Sequence, residues 1–237
     1  MNLDSLLISR DPGLLEVLRQ TLEKISVDVE ICPENRPGRE LLAKRKFDAV
    51  IIDCDDLQGG VEILRDLRTT QSNSKSVAFA VLNGKTTTQE AFQCGANFVL
   101  QKPLTPVHAT RCFNAAINFM VRERRRYFRY PIEIPVRITL GKNPELAATS
   151  TNLSEGGMAI RTVAKLLKDT EAELRFTLPG ASTTTLELKG QVAWNDGTGH
   201  VGIRFVQVPQ SSQYQLDKWL TDRLKSEMPH PLLASLS

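Results

Sequence analysis

The chain has 237 residues, enough for one large or two ordinary domains, and its 41% apolar and 24% charged residues are typical of a globular protein. The formal charge of +3 is too small to predict generic binding to nucleic acid. No apolar run approaches the roughly 18 residues that a membrane span needs. The N-terminus also lacks the basic region and apolar stretch of a secretory signal. We therefore expect a cytoplasmic location and no membrane span.

The cysteines and histidines form no recognisable chemical motif. All the cysteines lie in the first half of the chain without a C-x-x-C pair, and the histidines are scattered singly. Metal ligation and nucleophilic catalysis need such groups to converge. A phosphate-cradling glycine-rich loop is absent as well. The sequence therefore predicts no metal, no cofactor and no enzymatic activity.

Short apolar runs alternate with helical patterns in the first half of the chain. The predicted strands are residues 5–9, 27–31, 49–52, 77–82 and 98–100. The predicted helices, with apolar residues at helical spacing, are residues 12–24, 39–46, 60–69, 88–94 and a last one from about residue 106. Strands that alternate with helices predict a doubly wound, flavodoxin-like (βα)5 domain over residues 1–121.

The second half changes character after Arg126. Apolar and polar residues alternate, as in half-buried strands, over residues 136–140, 174–178, 186–194 and 200–206. Turn signals separate these runs, and an amphipathic helix is predicted over residues 211–225. Short antiparallel strands without intervening helices predict an all-β domain, a small barrel with a C-terminal helix, over residues 131–237. An arginine-rich linker, residues 122–130, is expected to join the two domains.

Two motifs at the start of the second half are uninformative when taken singly, but their order along the chain matches a family pattern. The arginine cluster, Arg122 to Arg129, alone suits a solvated helix end, where cations complement the helix dipole. The turn from Asn152 to Gly157, alone, consists of ordinary turn residues. Together, Arg125-x-x-x-Arg129 and Asn152-x-Ser154-x-x-Gly157 resemble the PilZ family. Residues 190–194 and 201–205 match later strands of that family, and the resemblance covers residues 122–226.

This resemblance implies a receptor for cyclic di-GMP, a dianion with two guanines. Arginine suits both parts of the ligand, because its planar fork binds phosphate oxygens and the O6/N7 edge of guanine. The family wraps its arginine segment over the ligand, above the turn on the barrel surface. An arginine at position 124 resembles the arrangement that favours an intercalated ligand dimer. The implied ligand-binding residues are Arg124, Arg125, Arg129, Asn152, Ser154 and Gly157.

The first domain resembles the receiver domains of two-component response regulators. Asp53 ends the third strand, where receivers place their phosphoacceptor, and Lys102 with Pro103 follows the fifth strand, like the family's phosphate-contacting lysine and cis proline. The acidic pair that binds Mg²⁺ in receivers is replaced in this chain by Ser9 and Arg10. Asp11 lies one position off the register of that pair. We therefore expect badly weakened Mg²⁺ binding.

The switch positions of the receiver family also depart from its pattern. No hydroxyl residue occurs among residues 81–83, and the aromatic position of the fifth strand is Val99. We expect a pseudo-receiver in which Asp53 pairs with Lys102 or Arg10. Phosphorylation of Asp53, dimerisation through the domain surface and docking of a partner remain open alternatives.

The sequence thus predicts a bacterial signal-transduction effector in which cyclic di-GMP binds at the interdomain arginine segment and reorients the domains. The alternatives are a phosphorylation-responsive regulator with a PilZ output, and a scaffold that docks a partner without nucleotide control. A nucleic-acid-binding helix is disfavoured, because Arg111 is the only arginine or lysine in residues 106–121. The downstream process, the protein partner, the ligand stoichiometry and the oligomeric state are left open by the sequence.

Overall fold

The computed structural model describes residues 2–141, 143–180 and 184–234, which form two compact units. The first unit contains the chain up to Arg124 together with the segment from Glu227 onward, and the second runs from Arg125 to Ser226. The predicted combination of an α/β and an all-β fold is confirmed. The final segment, assigned to the barrel domain from the sequence, clusters with the first unit instead, and residues 235–237 lie outside the described residues.

The first unit contains a parallel sheet with the strand order β2-β1-β3-β4-β5. The central strand β3 and its neighbour β4 are buried along their whole length, in agreement with their apolar runs. Asp53 is the last residue of β3 and is fully buried at its end. The strands are β1 (Leu3–Ile8), β2 (Val27–Cys32), β3 (Ala49–Asp53), β4 (Val77–Leu82) and β5 (Phe98–Gln101).

Local capping explains where two helices of this unit begin. The Asp11 carboxylate accepts hydrogen bonds from the Gly13 and Leu14 amides and starts the first helix. A capping box of Thr87 and Glu90 starts the fourth. The helices are α1 (Pro12–Lys24), α2 (Asn35–Lys44), α3 (Gly60–Leu67), α4 (Thr88–Gln93) and α5 (Pro106–Tyr127).

Helix α5 extends beyond the predicted end of the first domain. Its apolar face, which includes Phe113, Ile117 and Met120, is buried. Near its end the buried Glu123 carboxylate accepts a hydrogen bond from Lys46 Nζ at 2.6 Å. Residues 122–127, predicted as linker, are therefore helical, and they carry most of the arginine cluster.

The second unit is a closed antiparallel barrel. Its ring order is β8-β7-β10-β11-β12-β9, closed by pairing of β9 with β8, and the short β6 adds to β8. The alternation of exposed and buried side chains along β10 follows the predicted pattern. The strands are β6 (Tyr130–Pro131), β7 (Pro135–Thr139), β8 (Leu146–Ser154), β9 (Gly157–Arg161), β10 (Glu171–Leu178), β11 (Thr184–Asn195) and β12 (His200–Gln207).

Two helices follow the barrel strands. Helix α6 (Gln210–Ser226) buries Leu216, Leu220 and Leu224, which confirms the predicted amphipathic helix. The short α7 (His230–Ala234) has no counterpart in the prediction. None of the helices in the described ranges combines the length and apolar character that crossing a membrane requires.

Candidate functional site

A row of four paired residues forms a low floor on the outer surface of the barrel. Asn152 on β8 pairs with Ala159 on β9, Ala159 with Gly202 on β12, and Gly202 with Trp194 on β11. The two middle positions carry little or no side chain, whereas the two outer positions carry large ones. The result is a cavity of about 460 Å³ that is open to solvent on the barrel surface.

One wall of this cavity is the indole of Trp194. A Cβ atom at Gly202 would lie 2.0 Å from Trp194 Nε1, so glycine at this position allows the indole to lie across β12. The Trp194 side chain remains 47% exposed. A fixed, exposed aromatic face of this kind is suited to stacking on a nucleobase.

The turn between β8 and β9 fixes an arginine at the opposite side of the cavity. Ser154 Oγ donates to the Gly157 carbonyl oxygen at 2.8 Å and accepts from Arg129 Nη1, also at 2.8 Å. Because Ser154 is buried, its hydroxyl holds the Arg129 guanidinium in a defined position. A Cβ atom at Gly157 would lie 2.3 Å from the Ile203 carbonyl oxygen, so the close approach of β12 requires glycine there.

The cavity is strongly basic. Arg126, Arg129 and Arg204 all line it, and among the described residues none of its lining side chains is a carboxylate. Arg204 on β12 is oriented by Gln191, whose Oε1 accepts from Arg204 Nη2 at 2.7 Å. Three guanidinium groups with no acidic lining residue suit a ligand that carries more than one negative charge.

The structure brings four of the predicted ligand-binding residues to this cavity, namely Arg129, Asn152, Ser154 and Gly157. It does not bring Arg125 there. The Arg125 guanidinium contacts partners on the turn and on α6 instead: Glu155 Oε2 and Thr221 Oγ1 at 3.2 Å, and Asp217 Oδ2 at 3.5 Å. Helix α5 ends at Tyr127, so helical spacing no longer relates positions 125 and 129, and Arg126 lines the cavity in place of Arg125.

Arg124 lies within the first unit, where acidic groups surround it. Its Nη2 donates to the Asn2 carbonyl oxygen at 2.7 Å and pairs with Asp4 at 2.9 Å and Asp48 at 3.0 Å. Burial raises the pKa of Asp48 to about 6, even though the Arg124 charge opposes that rise. The expected contact of Arg124 with a ligand stays a prediction.

Sequence reasoning missed three residues of the cavity, Arg126, Trp194 and Arg204. Both Trp194 and Arg204 are exposed in the structure. Strand alternation predicts this for Arg204, but it puts Trp194 on the same side as the buried Val192, and the indole faces outward because the pairing of β11 with β12 is irregular between Val192 and Trp194. The prediction also recognised the two strand segments that contain them. Their convergence depends on the neighbouring positions of β11 and β12 in the ring, which alternation alone does not give.

A second charged cluster lies in the first unit, at the end of β3. Lys102 Nζ donates to Asp11 at 2.8 Å, to Asp53 at 3.0 Å and to Asp56 at 2.7 Å. Ser9 Oγ donates to Asp53 Oδ2 at 2.8 Å. Asp53 therefore pairs with Lys102, and Asp11 also reaches Lys102 although its sequence position is off register. The Lys102–Pro103 peptide bond is cis, as predicted.

The ionisation of this cluster is set by Lys102. Burial alone would lower the pKa of Lys102, but hydrogen bonds to Asp11, Asp56 and Asp53 outweigh it and raise that pKa. The hydrogen bond from Lys102 is also the main reason that the pKa values of Asp11 and Asp56 are lowered. The cluster is thus one ammonium shared by three carboxylates.

This donor set differs from the Mg²⁺ site of the receiver family. The carboxylate oxygens of Asp11, Asp53 and Asp56 lie within 4.8 Å of one another, a spacing that a cation could bridge. The Lys102 ammonium already bonds to each of them and supplies the positive charge. Ser9 and Arg10 replace the acidic pair at the first strand. The three carboxylates are therefore bonded to Lys102 in this structure, and the weakened Mg²⁺ binding expected from the sequence stays a prediction.

The loop between β4 and α4, which follows the switch positions expected among residues 81–83, is held by another carboxylate. Asp55 accepts from the backbone amides of Asn83 at 2.6 Å and of Lys85 and Thr86 at 3.0 Å. Burial would raise the pKa of Asp55, but hydrogen bonds from Thr86, Asn83 and Lys85 lower it overall. The ionised carboxylate therefore fixes the loop without any phosphoryl group.

Two family models match the chain, and together they cover both units. A model described as PilZ domain matches residues 123–222, and one described as response regulator receiver domain matches residues 6–112. No curated protein matches the chain at a significant level.

Several solved structures are similar to parts of the chain. The Bacillus subtilis inhibitor of motility, MotI/DgrA, is 19% identical with a TM-score of 0.38, over 43% of this chain and 51% of that one, about half its length. The receiver domain of a DNA-binding response regulator from Colwellia psychrerythraea is 20% identical with a TM-score of 0.44, over 49% and 99%. The chemotaxis response regulator CheY4 of Vibrio cholerae is 19% identical with a TM-score of 0.45, over 48% and 98%.

Proposed function

We propose that this chain, a response regulator receiver domain at residues 6–112 followed by a PilZ domain at residues 123–222, is a cytoplasmic effector that binds cyclic di-GMP. The observation that carries the proposal is the cavity in which Arg126, Arg129 and Arg204 meet without an acidic lining residue in the described chain. Its volume, about 460 Å³, is in the range of small-molecule sites. The role is regulatory binding rather than catalysis.

Each part of the ligand has a suitable partner in the cavity. Arg129, held by Ser154, and Arg126 provide charge-assisted hydrogen bonds for the phosphates. Arg204, held by Gln191, offers a fork that matches the O6/N7 edge of guanine. Trp194 offers a face on which a guanine can stack. Asn152 and Ser154 add polar groups for the base or the phosphate.

Arg125 has a conditional part in this proposal. The family resemblance assigns it to the ligand, whereas its guanidinium is paired with Glu155 and Asp217. Binding of a dianion beside it would let Arg125 exchange these pairs for a phosphate. The net gain from Arg125 would be reduced, because two ion pairs are given up.

The signal is proposed to pass through α5, which carries Arg126 near its end. Ligand contacts at Arg126 and Arg129 would change the arrangement of the two domains and thereby the surface offered to a protein partner or a second copy. Small-angle scattering with and without cyclic di-GMP measures this change directly. Identical profiles at saturating ligand would exclude the reorientation but leave the binding proposal intact.

Phosphorylation of Asp53 is a weaker candidate for the input. The Asp53 carboxylate is fully buried, and it is hydrogen-bonded by both Ser9 and Lys102. These hydrogen bonds stabilise the negative charge of the Asp53 carboxylate. We therefore expect the carboxylate to be a weaker nucleophile toward a phosphodonor. The nucleotide is therefore proposed as the main signal.

Calorimetric titration with cyclic di-GMP tests the binding proposal. Arg129→Ala is expected to weaken binding by about 10- to 100-fold, as the loss of charge-assisted hydrogen bonds predicts. Arg175→Ala is the matched control, since Arg175 lies on β10, is exposed, and pairs with Glu187 at 3.3 Å. Equal affinities of the two variants would contradict the proposed site.

A second titration separates nucleotide recognition from nonspecific binding of polyanions. Binding of DNA through phosphate contacts weakens steeply as salt rises. Cyclic di-GMP binding that uses stacking and the guanine edge should persist at a salt concentration that abolishes DNA binding. Loss of both at the same salt concentration would favour a general anion-binding surface.

A further inference from the structure

The loop between β9 and β10, residues 162–168, exposes two large aliphatic side chains. Val163 is 106% exposed and Leu167 is 66% exposed. Single exposed aliphatic residues are common on protein surfaces. In this loop the two lie close together in sequence, and with Trp194, itself 47% exposed, they line one cavity. Clustered exposed apolar side chains of this kind mark interaction surfaces.

The backbone of this loop is held firmly, so the exposure is built into the fold. The Thr162 amide donates to the Gly199 carbonyl oxygen at 2.9 Å, and Asn195 Nδ2 donates to the Leu166 carbonyl oxygen at 2.7 Å. The Leu166 side chain is buried beneath the loop. Because the Leu166 side chain points inward and its carbonyl group is bonded to Asn195, the nearby side chains of Val163 and Leu167 are left on the solvent side of the loop.

The cavity beside the loop combines apolar and basic groups. It has a volume of about 770 Å³, and its lining includes Val163, Leu167, Trp194, Lys165 and Lys168. Within the described ranges, neither lysine lies within ion-pairing distance of a carboxylate. Two unpaired ammonium groups next to fixed aliphatic side chains are complementary to carboxylates that flank apolar residues.

We propose that this surface, the 162–168 groove, binds an acidic, apolar segment of a partner protein. Apolar side chains of the partner would pack on Val163, Leu167 and the edge of Trp194. Its carboxylates would pair with Lys165 and Lys168. A concave surface of this volume suits the side chains of a peptide rather than the flat face of a bilayer. The lining of the groove contains no arginine fork, and it shares Ala193 and Trp194 with the nucleotide cavity. Binding of the segment is expected in the absence of cyclic di-GMP.

The experiment selects binders from a library of short random peptides displayed on phage. The full chain without nucleotide is the target, and the double variant Val163→Asp/Leu167→Asp is used to remove unrelated binders. We expect the selected peptides to be rich in aspartate or glutamate next to apolar residues. Fluorescence anisotropy with a selected peptide then measures affinity for the chain and its variants.

Charge reversal in the groove provides the decisive comparison. Lys165→Glu/Lys168→Glu is expected to weaken peptide binding by about tenfold or more, as loss of two ionic contacts followed by repulsion predicts. Lys218→Glu/Lys225→Glu, at exposed positions of α6, makes the same change in net charge and should leave the affinity unchanged. Trp194 is not substituted, because it also lines the nucleotide cavity. Thermal unfolding of each variant checks that the fold is intact.

Four outcomes would overturn the proposal. The first is selection of peptides without an acidic and apolar consensus, and the second is equal affinity of the two lysine variants. The third is sedimentation with phosphatidylcholine vesicles containing phosphatidylglycerol that depends on Lys165 and Lys168, since this would assign the groove to a lipid surface. The fourth is self-association of the chain that the Val163→Asp/Leu167→Asp variant loses, since this would assign it to a second copy.

Discussion

The protein has two charged clusters, one in each unit, and they differ in whether opposite charges are present within the cluster. At the end of β3, three carboxylates share one ammonium, and the Ser9 hydroxyl adds a further hydrogen bond to Asp53. In the barrel cavity, three arginines meet with no carboxylate among the described lining residues. The first cluster is satisfied by its own residues, whereas the lining of the second is basic and suits an external anion. A signal carried by an anion should therefore enter at the barrel.

The arginine cluster itself is divided along the same line. Arg124 is paired with Asp4 and Asp48 in the first unit, and Arg125 with Glu155 and Asp217 in the second. Arg126 and Arg129 line the cavity. A run of similar residues thus contains members that line the cavity and members that do not. Their positions in the fold, rather than their side-chain chemistry, separate the two groups.

The largest expected effect comes from removing the ammonium of the first cluster. Lys102→Met would leave the buried Asp53 carboxylate without its ionic partner, so we expect unfolding free energy at neutral pH to fall by about 3–5 kcal/mol. Lys85→Met is the control, because Lys85 is exposed and its pair with Asp56 is long at 3.7 Å. Urea unfolding measures both variants, and similar stabilities would contradict the cluster as a closed ionic unit.

The same variant gives a pH test with a definite sign. The pKa values of Asp11 and Asp56 are lowered in the folded protein by their hydrogen bonds to Lys102. Their contribution to stability is therefore present above the unfolded-state pKa and is lost as the pH falls through the folded-state pKa. The stability difference between wild type and Lys102→Met should shrink as the pH falls below about 4. A difference that grows in acid would exclude the ionic explanation.

The second largest effect concerns Asp48, the buried partner of Arg124. Burial raises its folded-state pKa to about 6, so the folded chain binds more protons than the unfolded chain between about pH 4 and pH 6. This residue therefore lowers the stability of the wild type as the pH rises through that window, by at most about 3 kcal/mol.

Asp48→Asn should remove that pH dependence. The stability of the variant relative to wild type is expected to rise from about pH 4 to pH 6, as measured by urea unfolding at intervals across the window. Asp28→Asn, at an exposed position of β2, serves as the control. Parallel curves for wild type and Asp48→Asn would show that Arg124 compensates fully for the buried charge.

The third prediction compares neighbouring arginines. Arg126→Ala should weaken cyclic di-GMP binding by about tenfold or more, because Arg126 lines the cavity. Arg125→Ala should cost less, because Arg125 does not line the cavity and must leave Glu155 and Asp217 to reach the ligand. Calorimetry on both variants measures the difference. A larger loss for Arg125→Ala would mean that the ligand-free pairing of Arg125 is not retained in solution.

Much of the fold and of the two charged clusters could be predicted from the sequence. The contacts that depend on where a strand or helix ends could not. The unbroken apolar runs of β3 and β4 and the position of Asp53 and Lys102 indicate the first fold and its acidic cluster. The sequence puts Asp11 one position off the register of the receiver's acidic pair. In the structure it caps α1, and its second carboxylate oxygen reaches Lys102.

In the barrel, the turn from Asn152 to Gly157 is evident from its residues, whereas the cavity is not. The segment that forms β8 lacks a clear apolar alternation, and it is a strand because β7 and β9 pair with it on both sides. Trp194 and Arg204 become neighbours of the turn only through the closed ring. Nonlocal pairing of this kind leaves little trace in a single sequence.

The smallest expected effect tests whether Arg125 is held back by its internal partners. Asp217→Asn removes one of its two carboxylate partners, so we expect cyclic di-GMP to bind several-fold more tightly, about 1 kcal/mol. Asp222→Asn, on an exposed position of the same helix, makes the same change in net charge. It should have little effect if the gain is specific to Arg125 rather than to the overall charge.

A double-mutant cycle completes this test. In an Arg125→Ala background, Asp217→Asn should no longer change the affinity, because the arginine that it would release is absent. Equal gains in both backgrounds would show that Asp217 acts on the ligand directly by repulsion. A coupling between the two sites would instead mean that helix α6 and the nucleotide compete for Arg125, which makes the position of α6 sensitive to the ligand. Because Glu155 holds the same guanidinium from the turn, Glu155→Gln should show the same coupling.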